Sequence, residues 1–265
     1  MSDVINAGTT RRKFLSRLGI AGVGAVGTGI LAGCGGGIDS GASKSVTTSD
    51  SDILNAAKIA EAIAVTTYTE IINNAPFFTR LATDDQNYFR AAREEDMAHY
   101  DLIKNATGGA PSPVTAFYFP PQMFTNAKTT LDTVVTLEEA FQAAYIIGVR
   151  DFSTTNLKVL AARIMGVQST HRLLARVVAP SVSPADGGPF TTLKGLAGQE
   201  EPVDPPNNNL YERTYHLSSI NDAVTALMPF LDPTAAASKG FDTTKTFTFH
   251  PFAATAPSPL GDING

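Results

Sequence analysis

The chain of 265 residues carries 20 Lys and Arg against 25 Asp and Glu, a net charge of −5 at pH 7. That acidic balance argues against nucleic acid as a partner, because phosphate contacts need clustered cations. A lone cysteine, Cys34, excludes a disulfide framework and a thiolate metal site.

The first 34 residues read as an export address. Arg11-Arg12-Lys13-Phe14-Leu15 precedes a weakly apolar run, Leu18 to Gly33, built largely of Gly, Ala, Val and Ile. Paired arginines followed by Phe-Leu resemble the twin-arginine (Tat) signal, with Arg11 and Arg12 as its marker pair. Leu31-Ala32-Gly33-Cys34 resembles a bacterial lipobox, which implies cleavage before Cys34 and lipidation of its thiol. The run of about 16 residues is too short and too rich in glycine for a good transmembrane span. Residues 1–33 are therefore expected to be a signal peptide, with the Tat machinery and lipoprotein-processing enzymes as partners. The mature protein is expected to be exported to the cell envelope, on the periplasmic face, anchored to a membrane through lipid on Cys34. Removing Arg11, Arg12, Lys13, Arg17 and Asp3 leaves 16 bases and 24 acids, a net charge of −8. Residues 34–51, rich in Gly, Ser and Thr, read as a flexible tether.

From residue 52 the pattern is helical. A first helix, capped by Ser51 or Asp52, has the seam Leu54, Ala57, Glu61, Ala64, Tyr68, Ile71, at alternating spacings of 3 and 4. After a connector containing Pro76, Thr83-Asp84-Asp85 reads as the capped start of a second helix that ends near Gly108-Gly109. Its seam is Phe89, Ala92, Asp96, His99, Ile103. Residues 110–125, with four prolines, read as a long crossing segment packed over the helices. A third helix has the seam Leu131, Val134, Glu138, Phe141, Tyr145, Gly148, Phe152. After a turn near residues 153–155, a fourth has Leu157, Ala161, Ile164, Gln168, His171, Ala175, Val178.

Each seam is apolar except at one level. Glu61, Asp96 with His99, Glu138, and Gln168 with His171 interrupt the four stripes at matching distances from their connectors. A rise of about 1.5 Å per residue places them in one layer. Buried carboxylates and imidazoles must be hydrogen-bonded, ion-paired or bound to metal. Glu61 to Tyr68 and Glu138 to Tyr145 are both seven apart, so the two helical hairpins look like a weak internal duplication. The tyrosines read as core or as donors to the polar layer. Glu94, Glu95 and Glu139 read as solvated faces.

One Glu from each of two helices and an acid-x-x-His pair from each of the others is the ligand plan of dimetal carboxylate bundles. Residues 52–178 resemble the bacterial ferritin-like domain proteins, an often exported group with desiccation-related relatives. The resemblance rests on Ala57-Lys58-Ile59-Ala60-Glu61, Asp96-x-x-His99, Glu138 with Tyr145, and Gly166-Val167-Gln168-x-x-His171. It implies an all-α ferritin-like four-helix bundle with a long crossover. It also implies one or two iron or manganese ions held by Glu61, Asp96, His99, Glu138 and His171, with Gln168 a weak ligand or a hydrogen-bonding neighbour. Two positions depart from the plan. Asp96 stands where Glu is usual, with Glu95 the alternative, and Gln168 replaces a carboxylate that could bridge two cations. Oxidase-type metal handling and a non-catalytic scaffold with a degenerate site both remain open, and a homo-oligomer is compatible with either.

Residues 179–265 read as an extension wrapping the bundle: an irregular stretch over 181–209, one helix over 217–231, and a short strand over 246–252. His216 and His250 have no acid or cysteine at ligand spacing and read as structural or surface residues.

Overall fold

The computed structural model describes residues 49–204 and 217–255. Arg11, Arg12, Cys34 and His216 lie outside the described residues. Helix α1 spans Asp50–Asn74 and starts just upstream of the expected cap. Ser49 Oγ accepts from Asp52 N while the Asp52 carboxylate accepts from Ser49 N, a reciprocal capping box that sets the start. Helix α2 spans Thr83–Ala106. Thr83 is not its cap: Ala82 holds that position without a side-chain bond. Asp84 and Asp85 lie in the first turn, where their charge meets the positive end of the helix dipole. The helix stops where Gly108 and Gly109 take left-handed φ values of 73° and 81°.

The buried Lys58 of α1 locks this terminus. Its Nζ donates to Thr107 Oγ1 and to the Ala110 carbonyl, each at 2.8 Å. Burial and nearby Lys104 hold its pKa below the ordinary lysine value. The crossing segment then carries the two-residue strand β1, Ala116–Phe117, and delivers the chain to α3, Ala127–Asp151. Helix α4, Thr155–Val178, follows after Thr154, whose side chain accepts from Leu157 N.

Helix α1 packs chiefly on α2, and α3 on α4. Tyr68 reaches Glu138 while Tyr145 reaches Glu61, so α1 and α3 run antiparallel. The expected seams are buried, with Ile71, Phe89, Leu131 and Ile164 fully enclosed and only Ala57 and Leu157 partly exposed. This is a mostly helical bundle with a C-terminal extension.

The extension departs from expectation in four places. Within the irregular stretch a small antiparallel hairpin forms, β2 (Thr192–Lys194) with β3 (Glu200–Pro202), and it lies against α3. The helix begins at Ile220, because Leu217 and Ser218 precede a Ser219–Asp222 capping box; it runs to Leu231 as α5. A further short helix α6, Pro233–Ser238, is capped by Asp232. The strand shrinks to β4, Phe247–Thr248, paired with β1 in the register Ala116↔Thr248. Only that part of the tail meets an edge, although Phe249 N still donates to the Thr115 carbonyl at 2.7 Å. Rings of Phe119, Phe124, Phe230 and Phe247 meet at centroid distances of 4.9–5.9 Å and tie tail to crossover. No helix among the described residues is long and apolar enough to cross a membrane.

Candidate metal centre

Four helices bring Glu61, Asp96, His99, Glu138, Gln168 and His171 into one buried layer, each at most 2% exposed. Two triads form within it, Glu61–Asp96–His99 and Asp96–Glu138–His171. In each, one ligand-capable atom per residue lies within 4.8 Å of the others. Asp96 belongs to both. Its position on α2, one turn before His99, lets it face His99 on its own helix and His171 on α4.

His171 Nδ1 lies 3.3 Å from Asp96 Oδ1 and 3.9 Å from Glu138 Oε1, and Gln168 Oε1 is 3.3 Å away. Its other nitrogen, Nε2, meets Glu95 Oε2 at 2.8 Å. His99 Nδ1 lies 3.5 Å from Glu61 Oε2 and 3.7 Å from Asp96 Oδ1. Tyr68 donates to Glu138 Oε1 at 2.7 Å, and Tyr145 donates to Glu61 Oε1. The equal seven-residue spacings thus become a reciprocal pair of bonds across the α1–α3 interface. Gln168 Nε2 donates to Asp96 Oδ1 at 3.1 Å and to the two Glu61 oxygens at 3.3 and 3.4 Å.

The electrostatics are those of anions held together by protons. Burial raises the pKa of Glu61, against the pull of His99. Burial also pushes Glu138 up to about 8, although His171 opposes it. Asp96 goes the other way: burial acts to raise it, but His171 and His99 together hold it below the usual carboxylate value. Burial disfavours a charged His99, yet Asp96 and Glu61 lift it to about 9. The same contest, with Asp96 dominant among the neighbours, leaves His171 raised well above its ordinary value. Burial and the adjacent carboxylates also lift Tyr68 and Tyr145, which stay protonated donors.

These residues fit a metal. Asp96 Oδ2, Glu138 Oε2 and both nitrogens of His99 are buried with no hydrogen-bond partner among the described residues. Buried polar atoms without partners are costly, and cations in the layer could coordinate the two carboxylate oxygens and one nitrogen of His99. Carboxylate oxygen with imidazole nitrogen suits Mn and Fe. The neutral Gln168 leaves three carboxylates in the layer in place of four.

Three acids expected on solvated faces do more. Glu139 is fully buried: its Oε1 accepts from Arg172 Nε at 2.7 Å and its Oε2 from Leu196 N at 2.7 Å. Gly195 passes so close that a Cβ there would overlap Glu139 Oε2. Glu139 and Arg172 each follow a layer residue and turn about 100° away from it, under the β2–β3 hairpin. A buried Arg at residue 172, paired in the sequence with Arg176 one turn on, was the available signal. Glu94 accepts from Thr255 N at 2.9 Å and Arg93 at 3.0 Å, tying the tail to α2. Glu95 reaches His171, so it touches the layer without joining either triad. His250 is exposed, as expected.

Residues 49–179 match a family model described as the ferritin-like domain. A search of curated proteins finds no match to the chain.

Proposed function

We propose that this layer holds one or two iron or manganese ions and that the protein handles metal by oxidation chemistry at the cell envelope. The observation that carries the reading is Asp96, one carboxylate shared by two carboxylate–histidine triads. Glu61 and His99 would hold a cation on one side, Glu138 and His171 on the other, with Asp96 between them. Gln168 could offer only its amide oxygen, so a second cation would be held less tightly than in a four-carboxylate site. Bound iron would supply electron transfer to O2 or peroxide. The chain's own part is to keep water out of a fully buried layer, to fix Glu61 through Tyr145 and Glu138 through Tyr68, and to orient His171. Export rests on Arg11-Arg12 and the lipobox-like Leu31-Ala32-Gly33-Cys34; folded export through the Tat route is compatible with loading metal before translocation.

A second reading is favoured by Gln168 itself. Its amide donates to Glu61 and Asp96, as it would in a scaffold whose polar layer serves only structure. The test is to purify the protein without chelator, count its metals, then titrate with Fe(II) anaerobically and admit O2. Bound iron with an oxidation signal supports the first reading. A well-folded protein that takes up neither Fe(II) nor Mn(II) leaves the scaffold.

A further inference from the structure

We infer that Glu95 is a positioning residue that makes the Asp96–Glu138–His171 half of the layer the first to fill with a divalent cation; this rests on the metal-binding reading above. The two imidazoles of the layer are held differently. His171 Nε2 is 2.8 Å from Glu95 Oε2, which leaves Nδ1 directed at Asp96 Oδ1, Gln168 Oε1 and Glu138 Oε1. A carboxylate on the outer nitrogen of a histidine ligand fixes the ring, sets which nitrogen carries the proton, and strengthens the inner nitrogen as a donor to metal. His99 has no such support: neither ring nitrogen has a hydrogen-bond partner among the described residues. Its nearest carboxylate oxygens, at 3.5 and 3.7 Å, are those of Glu61 and Asp96, which are themselves candidate ligands.

Glu95 also differs from the layer in exposure. Its side chain is 38% exposed while that of His171 is 3%. It sits beside Asp96 in sequence but about 100° around α2, so it reaches α4 from the solvent side of the layer. Glu95 is therefore a carboxylate that touches both water and a buried candidate ligand. A ring already oriented loses less freedom on binding metal, which favours the His171 half over the His99 half.

The probe is Mn(II), added to the purified, metal-free, full-length chain and followed by loss of the free-ion electron paramagnetic resonance signal. Glu95→Ala should weaken the tighter binding step about 10- to 100-fold, the usual effect of removing an outer partner of a histidine ligand. Glu95→Gln keeps an oxygen to accept from Nε2–H and should retain most of the affinity. His171→Ala should abolish the tighter step, whereas His99→Ala should leave it in place. Unchanged tight binding in Glu95→Ala overturns the inference, and so does loss of the tighter step in His99→Ala. Equal weakening by Gln and Ala also overturns it, because bare charge would then be the cause. If wild-type protein binds no Mn(II) or Fe(II), the metal-binding reading itself fails. Metal-free melting of each variant separates these results from misfolding, and Glu95→Gln carries the test if the Ala variant does not fold.

Discussion

Replacing Gln168 by Glu tests what the amide does in the layer. Its Nε2 now donates to Asp96 Oδ1 at 3.1 Å and to Glu61 oxygens at 3.3 and 3.4 Å. A carboxylate oxygen in that position would face two carboxylates at about 3.3 Å, a repulsion of about 5 kcal/mol per pair at an effective dielectric near 20. The variant can escape by keeping a proton on the new carboxyl, which limits the cost to about 1.4 kcal/mol for each unit of pKa shift. With a shift of two units the metal-free protein should lose about 3 kcal/mol, a fall in Tm of roughly 6–12 °C. Added Mn(II) should reverse the order, because the extra negative charge lies where a second cation needs it. Thermal melting with and without Mn(II), followed by circular dichroism, reads both effects. A metal-free variant as stable as wild type, or a variant with a smaller Mn(II)-induced shift, would refute the reasoning.

Other consequences follow from the same geometry. His99, raised to about 9, gives the metal-free fold stability that is complete below its ordinary 6.5 and lost as pH rises through about 9. A cation in the Glu61–Asp96–His99 half must expel that proton, so the weaker Mn(II) step should tighten across this window with proton release on binding; titration calorimetry in buffers of different ionisation enthalpy checks it, and a flat profile for that step would count against it. Glu139→Ala removes the carboxylate bonded to the fully buried Arg172 and should cost about 3–5 kcal/mol in urea denaturation. A loss below about 1 kcal/mol would mean that solvent reaches this pair. Gly195→Ala drives a Cβ into Glu139 Oε2 and should destabilise by about 1–3 kcal/mol, with faster proteolysis of the 191–203 hairpin than in wild type. Equal proteolysis rates would place the hairpin's anchorage elsewhere.

The bundle is legible in the sequence because its four seams repeat at 3 and 4 over about four to six turns each, and such a period has one helical solution. The polar layer is legible for the same reason: Glu61, Asp96, Glu138 and Gln168 stand where an apolar side chain belongs. Glu139 and Glu95 were read otherwise because they lie off those seams. Their burial and partners come from elements that no helical period encodes, the 191–203 hairpin for Glu139 and the approach of α4 for Glu95. Strands of two or three residues, such as Phe247–Thr248, are too short to show alternation and exist only where a neighbour offers an edge. The start of α1 turned on the reciprocal bonds of Ser49 and Asp52; Ser51 offers the same hydroxyl, but Leu54 three residues on cannot return the second bond.

The most direct test of a metal centre in this layer is anomalous diffraction from crystals of the protein grown metal-free and soaked in Mn(II). The account predicts a strong peak among Asp96, Glu138 and His171, and a weaker one toward Glu61 and His99. Peaks confined to surface carboxylates, with the buried layer empty, would contradict it.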